Sequence, residues 1–358
     1  MKKKQLLYIG HKYHNKTKST EFLKELFKTK YQLSVFDFDP YQDDYHVFES
    51  LKGQVYDTVV LFQLPLDLKR LKQFIQTSGF VFFPMYDGVE GADFNFWYQY
   101  RDAKIINFSK TLHEKLLLFG LDSYYIQYFP KPTEKPIWGD AQKVYFWQRV
   151  TDIHLPLIEK LFQKIPIQKI HIHKALDPHH QFTNATNLLN AELEYSTWYD
   201  DKDKMLHDVQ EASIYIAPRV TEGIGMSFLE AMAMGKCVVA HNKPTMNEYI
   251  TNGETGILYD LNHIKPLEPF NPLEIGQKAY AFIQKGYQQW KKEKSNILIW
   301  MATPVCIDKK KLEKHFLTIT YRLFFCLEIL KITKSIDSIN VTFLKWIPLL
   351  MIKRKGVS

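Results

Sequence analysis

Cysteine is scarce. Cys237, Cys306 and Cys326 are the only three in 358 residues and lie far apart, so there is neither a disulfide framework nor a thiolate zinc pattern, and a reducing compartment is expected. Long apolar runs are also missing. No stretch of about eighteen apolar residues exists, so no transmembrane helix is expected. The apolar run before Gly10 is too short for the core of a signal peptide. A glycine fingerprint is lacking after the first strand-like segment, Gln5–Ile9, which runs into HKYHNK; a dinucleotide site has no support there. The thirteen histidines form no metal-spaced set, since Ile170-His171-Ile172-His173 is strand alternation and His179-His180 follows a proline turn. Asp37-Phe38-Asp39 puts two carboxylates on one strand face before Pro40 and reads as a turn. No metal and no other cofactor are expected.

What is present describes an ordinary globular chain. Apolar residues make up 46% and charged residues 24%, and the length suits two domains. The net charge of +8 is uneven: residues 1–30 carry nine lysines against Glu21 and Glu25, and residues 301–358 carry nine lysines and two arginines against four carboxylates. Two basic ends suit an anionic surface better than nucleic acid as a partner.

Strand-like runs alternate with helical stretches along the chain: Gln5–Ile9, Leu33–Phe38, Thr58–Leu64, Phe80–Phe83, Lys104–Phe108 and Tyr124–Tyr128, then Val144–Trp147, Lys169–Ile172, Leu193–Tyr195 and Ile214–Ala217. This alternation predicts α/β architecture with parallel, doubly wound sheets. Pro130, Pro132 and Pro136 mark a semi-rigid linker. The expected organisation is a Rossmann-like domain over 1–130, a linker over 131–142, a second Rossmann-like domain over 143–300, and a basic, amphipathic helical tail over 301–358. Two such domains bind ligands in the cleft between the carboxyl ends of their sheets. In the tail, Phe316, Thr320, Leu323, Leu327 and Leu330 fall at helical spacing, and VTFLKWIPLLMI is followed by Lys353-Arg354-Lys355; such a segment can lie on an anionic bilayer.

The richest stretch runs from Tyr215 to Asp260. A buried strand ends at Pro218, Glu222-Gly223-Ile224-Gly225 forms a loop, a helix runs from about Ser227 to Met234, Gly235 stops it, and Cys237–Ala240 is the next strand. A glycine loop at a helix N-terminus favours phosphate through free amides and the helix dipole. Ser227-x-x-Glu230 also fits a capping box, with the glycines serving only the turn.

This stretch resembles the donor-site signature of the retaining GT-B glycosyltransferases of family four: a proline (Pro218), E-G-x-G (Glu222–Gly225), L-E-A-M-A-x-G (Leu229–Gly235), an apolar strand, and a later acidic residue with two glycines (Glu248, Gly253, Gly256). The resemblance implies two Rossmann-like domains facing a cleft and transfer of a sugar from a nucleotide-diphosphate donor to an acceptor hydroxyl. It implies that Glu222 contacts the donor sugar, that Glu230 contacts the ribose, and that the backbone of Gly223, Ile224, Gly225, Met226 and Ser227 meets the sugar and diphosphate. It also implies an arginine for the diphosphate at Arg149. The family's lysine a few residues later falls on His154, and Arg219 is placed to supply the missing charge. The family's first-domain histidine is absent: Tyr86 or Asp87 occupies that position, and Lys16, Lys18 and Ser19 lie in the expected acceptor loop. These departures leave open a partner subunit that binds nucleotide sugar without turnover; an epimerase on the same fold is a third reading, over which the signature favours transfer. The expected acceptor is a glycan or a lipid-linked glycan of a bacterial cell envelope, including lipopolysaccharide, at the cytoplasmic face of the membrane.

Overall fold

The computed structural model describes the backbone of residues 3–353 except 187, 200, 316–317, 324–326, 335–337 and 344–346, and the side chains up to residue 315 except 187, 200 and 202. The first sheet has six parallel strands: β1 (Lys4–His11), β2 (Tyr31–Phe38), β3 (Thr58–Phe62), β4 (Phe80–Phe83), β5 (Ala103–Asn107) and β6 (Ser123–Tyr125), in the order β2-β1-β3-β4-β5-β6. Helices α1 (Glu21–Lys28), α2 (Tyr86–Val89) and α3 (Lys110–Leu118) belong to it. The second sheet comprises β7 (Asp140–Gln148), β8 (Lys169–Lys174), β9 (Glu192–Ser196), β10 (Ala212–Ile216), β11 (Cys237–His241) and β12 (Ile257–Tyr259). Its order is β9-β8-β7-β10-β11-β12, again all parallel. Its connecting helices include α4 (Leu155–Leu161), α5 (Lys202–Glu211), α6 (Met226–Ala233) and α7 (Met246–Tyr249).

The central strands read as apolar runs because helices cover both faces of a parallel sheet. Every residue of β3, β4, β10 and β11 is buried. Helix starts follow the capping rule: Ser109 accepts from the Leu112 amide and Asp201 from the Asp203 amide. The strand order of the second sheet reverses between β7 and β10, and such a switch point opens a crevice at the carboxyl ends of the strands.

A long helix, α8 (Pro272–Glu293), starts at a proline in its first turn and carries the chain back to the first domain. There Trp290 meets Phe22 and Tyr128 edge-on, with ring centres 5.9 and 5.3 Å apart. In α9 (Ser295–Met301), Trp300 follows and stacks on Tyr124. Then α10 (Lys309–Lys314) buries Leu312 in the first domain's core.

Of the helical tail expected over 301–358, α10 is helical and the rest from Thr318 is not. From Thr318 the backbone forms four antiparallel strands: β13 (Thr318–Leu323), β14 (Leu327–Lys334), β15 (Ser338–Phe343) and β16 (Ile347–Lys353), paired in chain order. The physical reason is the density of β-branched and aromatic residues, such as Ile319-Thr320-Tyr321, which favours a pleated ladder over the helical spacing. Pro348 agrees: it would break a helix interior but is tolerated in β16, an edge strand. The expected apolar stripe through Phe316 and Leu330, and the basic Arg354-Lys355, lie outside the described side chains. Among the described residues, no helix is long and apolar enough to cross a membrane.

Candidate active site

The loops at the carboxyl ends of both sheets meet. Asp87, in α2 after β4, accepts a hydrogen bond from Arg219 Nη1 of the second domain at 2.7 Å. Gly223 lies against Met85, so that a Cβ there would come within 2.7 Å of the methionine side chain. Glu248, in α7, reaches across to the N-terminus of α3, where its carboxylate accepts from Ser109 Oγ at 2.9 Å, the Lys110 amide at 2.7 Å and the Thr111 amide at 3.0 Å. The carboxylate thus satisfies free amides and faces the positive end of the helix dipole. Lys16 Nζ stands 4.2 Å from the centre of the Trp198 ring, another contact between domains.

At the centre of this cleft is a row of alternating charges. Arg149, in the loop after β7, donates through Nε and Nη2 to Asp177 Oδ1 at 3.2 and 2.9 Å. Asp177, in the loop after β8, accepts on its other oxygen from Arg219 Nη2. Arg219, in turn, holds Asp87. Backbone geometry fixes the row, because the Asp177 amide donates to the Arg149 carbonyl at 2.9 Å. Arg149 also lies over the Trp147 ring at 4.7 Å. Three polar atoms in this cluster are buried and carry no hydrogen bond: Asp87 Oδ1, Arg219 Nε and Glu222 Oε1. Such orphans are rare, and their convergence in one cleft marks a place for a polar ligand.

Glu222 is the most perturbed acid of the group. Burial pushes its carboxyl up to about 7, against the pull of Arg219 and Arg149. Burial also raises Asp87, again opposed by the two arginines. The loop carrying Glu222 is braced from behind: its amide donates to the Pro244 carbonyl at 3.1 Å. Gly225 ends that loop with φ of 80° and stands at the N-cap of α6. A side chain there would be strained, and its Cβ would fall 1.9 Å from the Phe228 ring. The alternative reading of Ser227-x-x-Glu230 as a capping box does not hold, since Gly225 and not Ser227 is the N-cap. Met226 and Ser227 begin the helix directly after the glycine, and the N-terminus of a helix suits an anion. Behind the loop, Glu230, Ser227, Tyr215, Tyr145 and Trp147 line a narrow, mostly apolar pocket.

Asp87, Arg149, Arg219 and Glu222 are thus brought together from both domains, with Gly223, Ile224 and Gly225 beside them. Other expected residues stand elsewhere. Tyr86 turns into the core of the first domain, because one position along α2 swings the side chain about 100° around the helix axis. His154 is committed as the N-cap of α4, its Nδ1 accepting from the Leu157 amide at 3.1 Å. Burial lowers its pKa, so it stays neutral and supplies no charge to a phosphate. Lys18 closes a short helical turn in the left-handed region with φ of 53°. Ser19 hydrogen-bonds His14 Nδ1 at 2.8 Å, and His14 Nε2 bonds Gln63 Oε1 at 2.8 Å. His14, held neutral by burial that lowers its pKa to about 4, was not expected at this wall of the cleft. Asp177 is the larger omission, and only the adjacency of β7, β8 and β10 reveals it.

Two facing Rossmann-like domains with this closed cleft decide the architecture. The chain has the GT-B fold. Solved structures of that fold superpose over most of it. Sucrose-phosphate synthase from Thermosynechococcus elongatus matches with a TM-score of 0.58 at 12% identity, covering 82% of this chain and 100% of its own. The lipopolysaccharide outer core galactosyltransferase WaaB matches with a TM-score of 0.55 at 12% identity, covering 81% and 99%. HepE of Anabaena, in complex with UDP and glucose, matches at 0.50 and 13% identity, covering 82% and 100%. Residues 185–268 match the model of the family described as glycosyl transferases group 1. The signature from Pro218 to Gly256 lies inside that segment. No curated protein matches the sequence.

Proposed function

We propose that this GT-B protein is a glycosyltransferase that moves a sugar from a nucleotide-diphosphate sugar to an acceptor hydroxyl with retention of anomeric configuration. The observation that carries the reading is the convergence of Arg149, Arg219, the α6 N-terminus and buried Glu222 in the cleft between the domains. Two guanidinium groups and a helix N-terminus provide positive charge for a leaving diphosphate. Glu222, titrating near neutrality, both accepts and donates hydrogen bonds and so orients sugar hydroxyls. Glu230 suits the ribose. The amides of Gly223, Ile224, Gly225, Met226 and Ser227 meet the sugar and diphosphate.

The bond between the sugar's anomeric carbon and the phosphate oxygen breaks, and its electron pair leaves on that oxygen. The acceptor hydroxyl attacks from the same face, and its proton passes to the departing phosphate. The protein contributes position and charge, with no covalent intermediate. Asp87, which reaches the cluster from the first domain, faces the acceptor side with the loop of Lys16, Lys18 and Ser19. The donor class is supported by the UDP-bound relative, and an envelope glycan or lipid-linked glycan as acceptor by WaaB. The basic ends support contact with an anionic membrane surface. Turnover needs no metal.

A panel of nucleotide-diphosphate sugars, assayed for hydrolysis and transfer with EDTA present, tests the proposal. The expected result is turnover of one donor, with the anomeric configuration of the donor preserved in the product by NMR. Tight nucleotide binding without turnover of any donor would instead favour a non-catalytic partner subunit.

A further inference from the structure

Asp177 answers to no part of the donor signature, yet it sits between the two arginines assigned to the diphosphate. Its Oδ1 takes Nε and Nη2 of Arg149, and its Oδ2 takes Nη2 of Arg219. Asp87 takes the next nitrogen of Arg219. Two cations are thus matched by two carboxylates, and the row has no net charge before Glu222 is counted. A diphosphate approaching such a row gains nothing from long-range attraction and would meet two carboxylates at close range, where like charges repel strongly in a partly buried site. The place between the two guanidinium groups is also where a phosphate oxygen would bridge them. One acidic side chain and one phosphate cannot both take the same N–H groups.

The backbone around Asp177 allows the exchange. Its amide stays fixed on the Arg149 carbonyl, so rotation of the side chain alone moves the carboxylate. The side chain is 19% exposed and therefore has a path to solvent. The buried Nε of Arg219, which lacks a partner, leaves a donor that a polyanion would satisfy and Asp177 does not.

We infer that Asp177 is a resident counter-anion: it holds Arg149 and Arg219 in register when the cleft has no donor, and the diphosphate binds by displacing it. The inference rests on the diphosphate being placed at these two arginines. In this role Asp177 is a positioning residue that also sets donor affinity, and each binding event includes the release of its two ion pairs.

Calorimetric titration with inorganic pyrophosphate tests it on the full chain. Asp177→Asn, nearly the same in shape, removes the competing charge and is expected to bind pyrophosphate at least tenfold more tightly than the unaltered protein, with Asp177→Ala doing the same. A residue that merely supported the loop would weaken binding on removal, so unchanged or weaker binding in both variants overturns the inference. Arg149→Ala and Arg219→Ala distinguish the two levels of the argument. If each weakens pyrophosphate binding while the Asp177 variants do not tighten it, the placeholder role fails and the diphosphate site stands. If neither weakens it, both fall. Should the Asp177 variants not fold, a structure of the unaltered protein with pyrophosphate decides: the Asp177 carboxylate must no longer pair with Arg149 or Arg219, and its retention on either overturns the inference.

Discussion

Replacing Glu222 by glutamine should make the protein more stable at alkaline pH. The residue is 7% exposed, one of its carboxyl oxygens has no hydrogen-bond partner, and burial pushes its pKa from 4.5 to about 7. Below pH 4.5 the group is protonated in both folded and unfolded chains, and its titration costs nothing. Between 4.5 and 7 the unfolded chain releases its proton first, so stability falls as pH rises. Above 7 the folded protein holds a buried carboxylate, at a cost of about 3 kcal/mol for a pKa raised by this much, at roughly 1.4 kcal/mol per pKa unit. Glutamine keeps the shape and cannot ionise. Denaturant unfolding of both proteins across pH 4 to 8 measures the difference. The variant should match the unaltered protein near pH 4 and exceed it by about 3 kcal/mol at pH 8. A difference that does not change between those limits would refute the argument that Glu222 is held near neutrality by desolvation.

Glu248→Ala removes three hydrogen bonds to the α3 N-terminus from across the cleft. It should lower stability by about 2–3 kcal/mol, with Glu248→Gln losing about half of that, as read by thermal unfolding. Gly225→Ala forces a side chain into the left-handed region and into the Phe228 ring. A loss of about 2 kcal/mol or more is expected, and donor binding should weaken with it because the turn that presents the α6 amides is displaced.

Much of this fold was legible because parallel strands buried on both faces read as apolar runs between helix caps, and the expected strands correspond to β1 through β11. The glycine loop was legible for a different reason: glycines at forced φ or close approach, such as Gly225 and Gly223, leave a mark in the chain itself. Asp177 left none. It lies 28 residues from Arg149 and 42 from Arg219, in HKALDPHHQF, and its role depends on strands β8, β7 and β10 lying side by side. Tyr86 shows the limit of reading at one residue's precision, since the direction of each side chain in Tyr86-Asp87 depends on the phase of a short helical turn. In the tail, apolar residues at helical spacing coincided with dense β-branching, and the latter decided the backbone from Thr318 onward.

The central claim is that Glu222, at the closed cleft, orients a sugar on a diphosphate held by Arg149 and Arg219. The most direct test is donor turnover by Glu222→Ala beside the unaltered protein, with the nucleotide-diphosphate sugar that the panel identifies. Loss of an orienting group at the reacting centre should lower kcat by about a hundredfold or more, while affinity for the nucleoside diphosphate product stays within a few fold. Undiminished turnover by the variant would contradict the account.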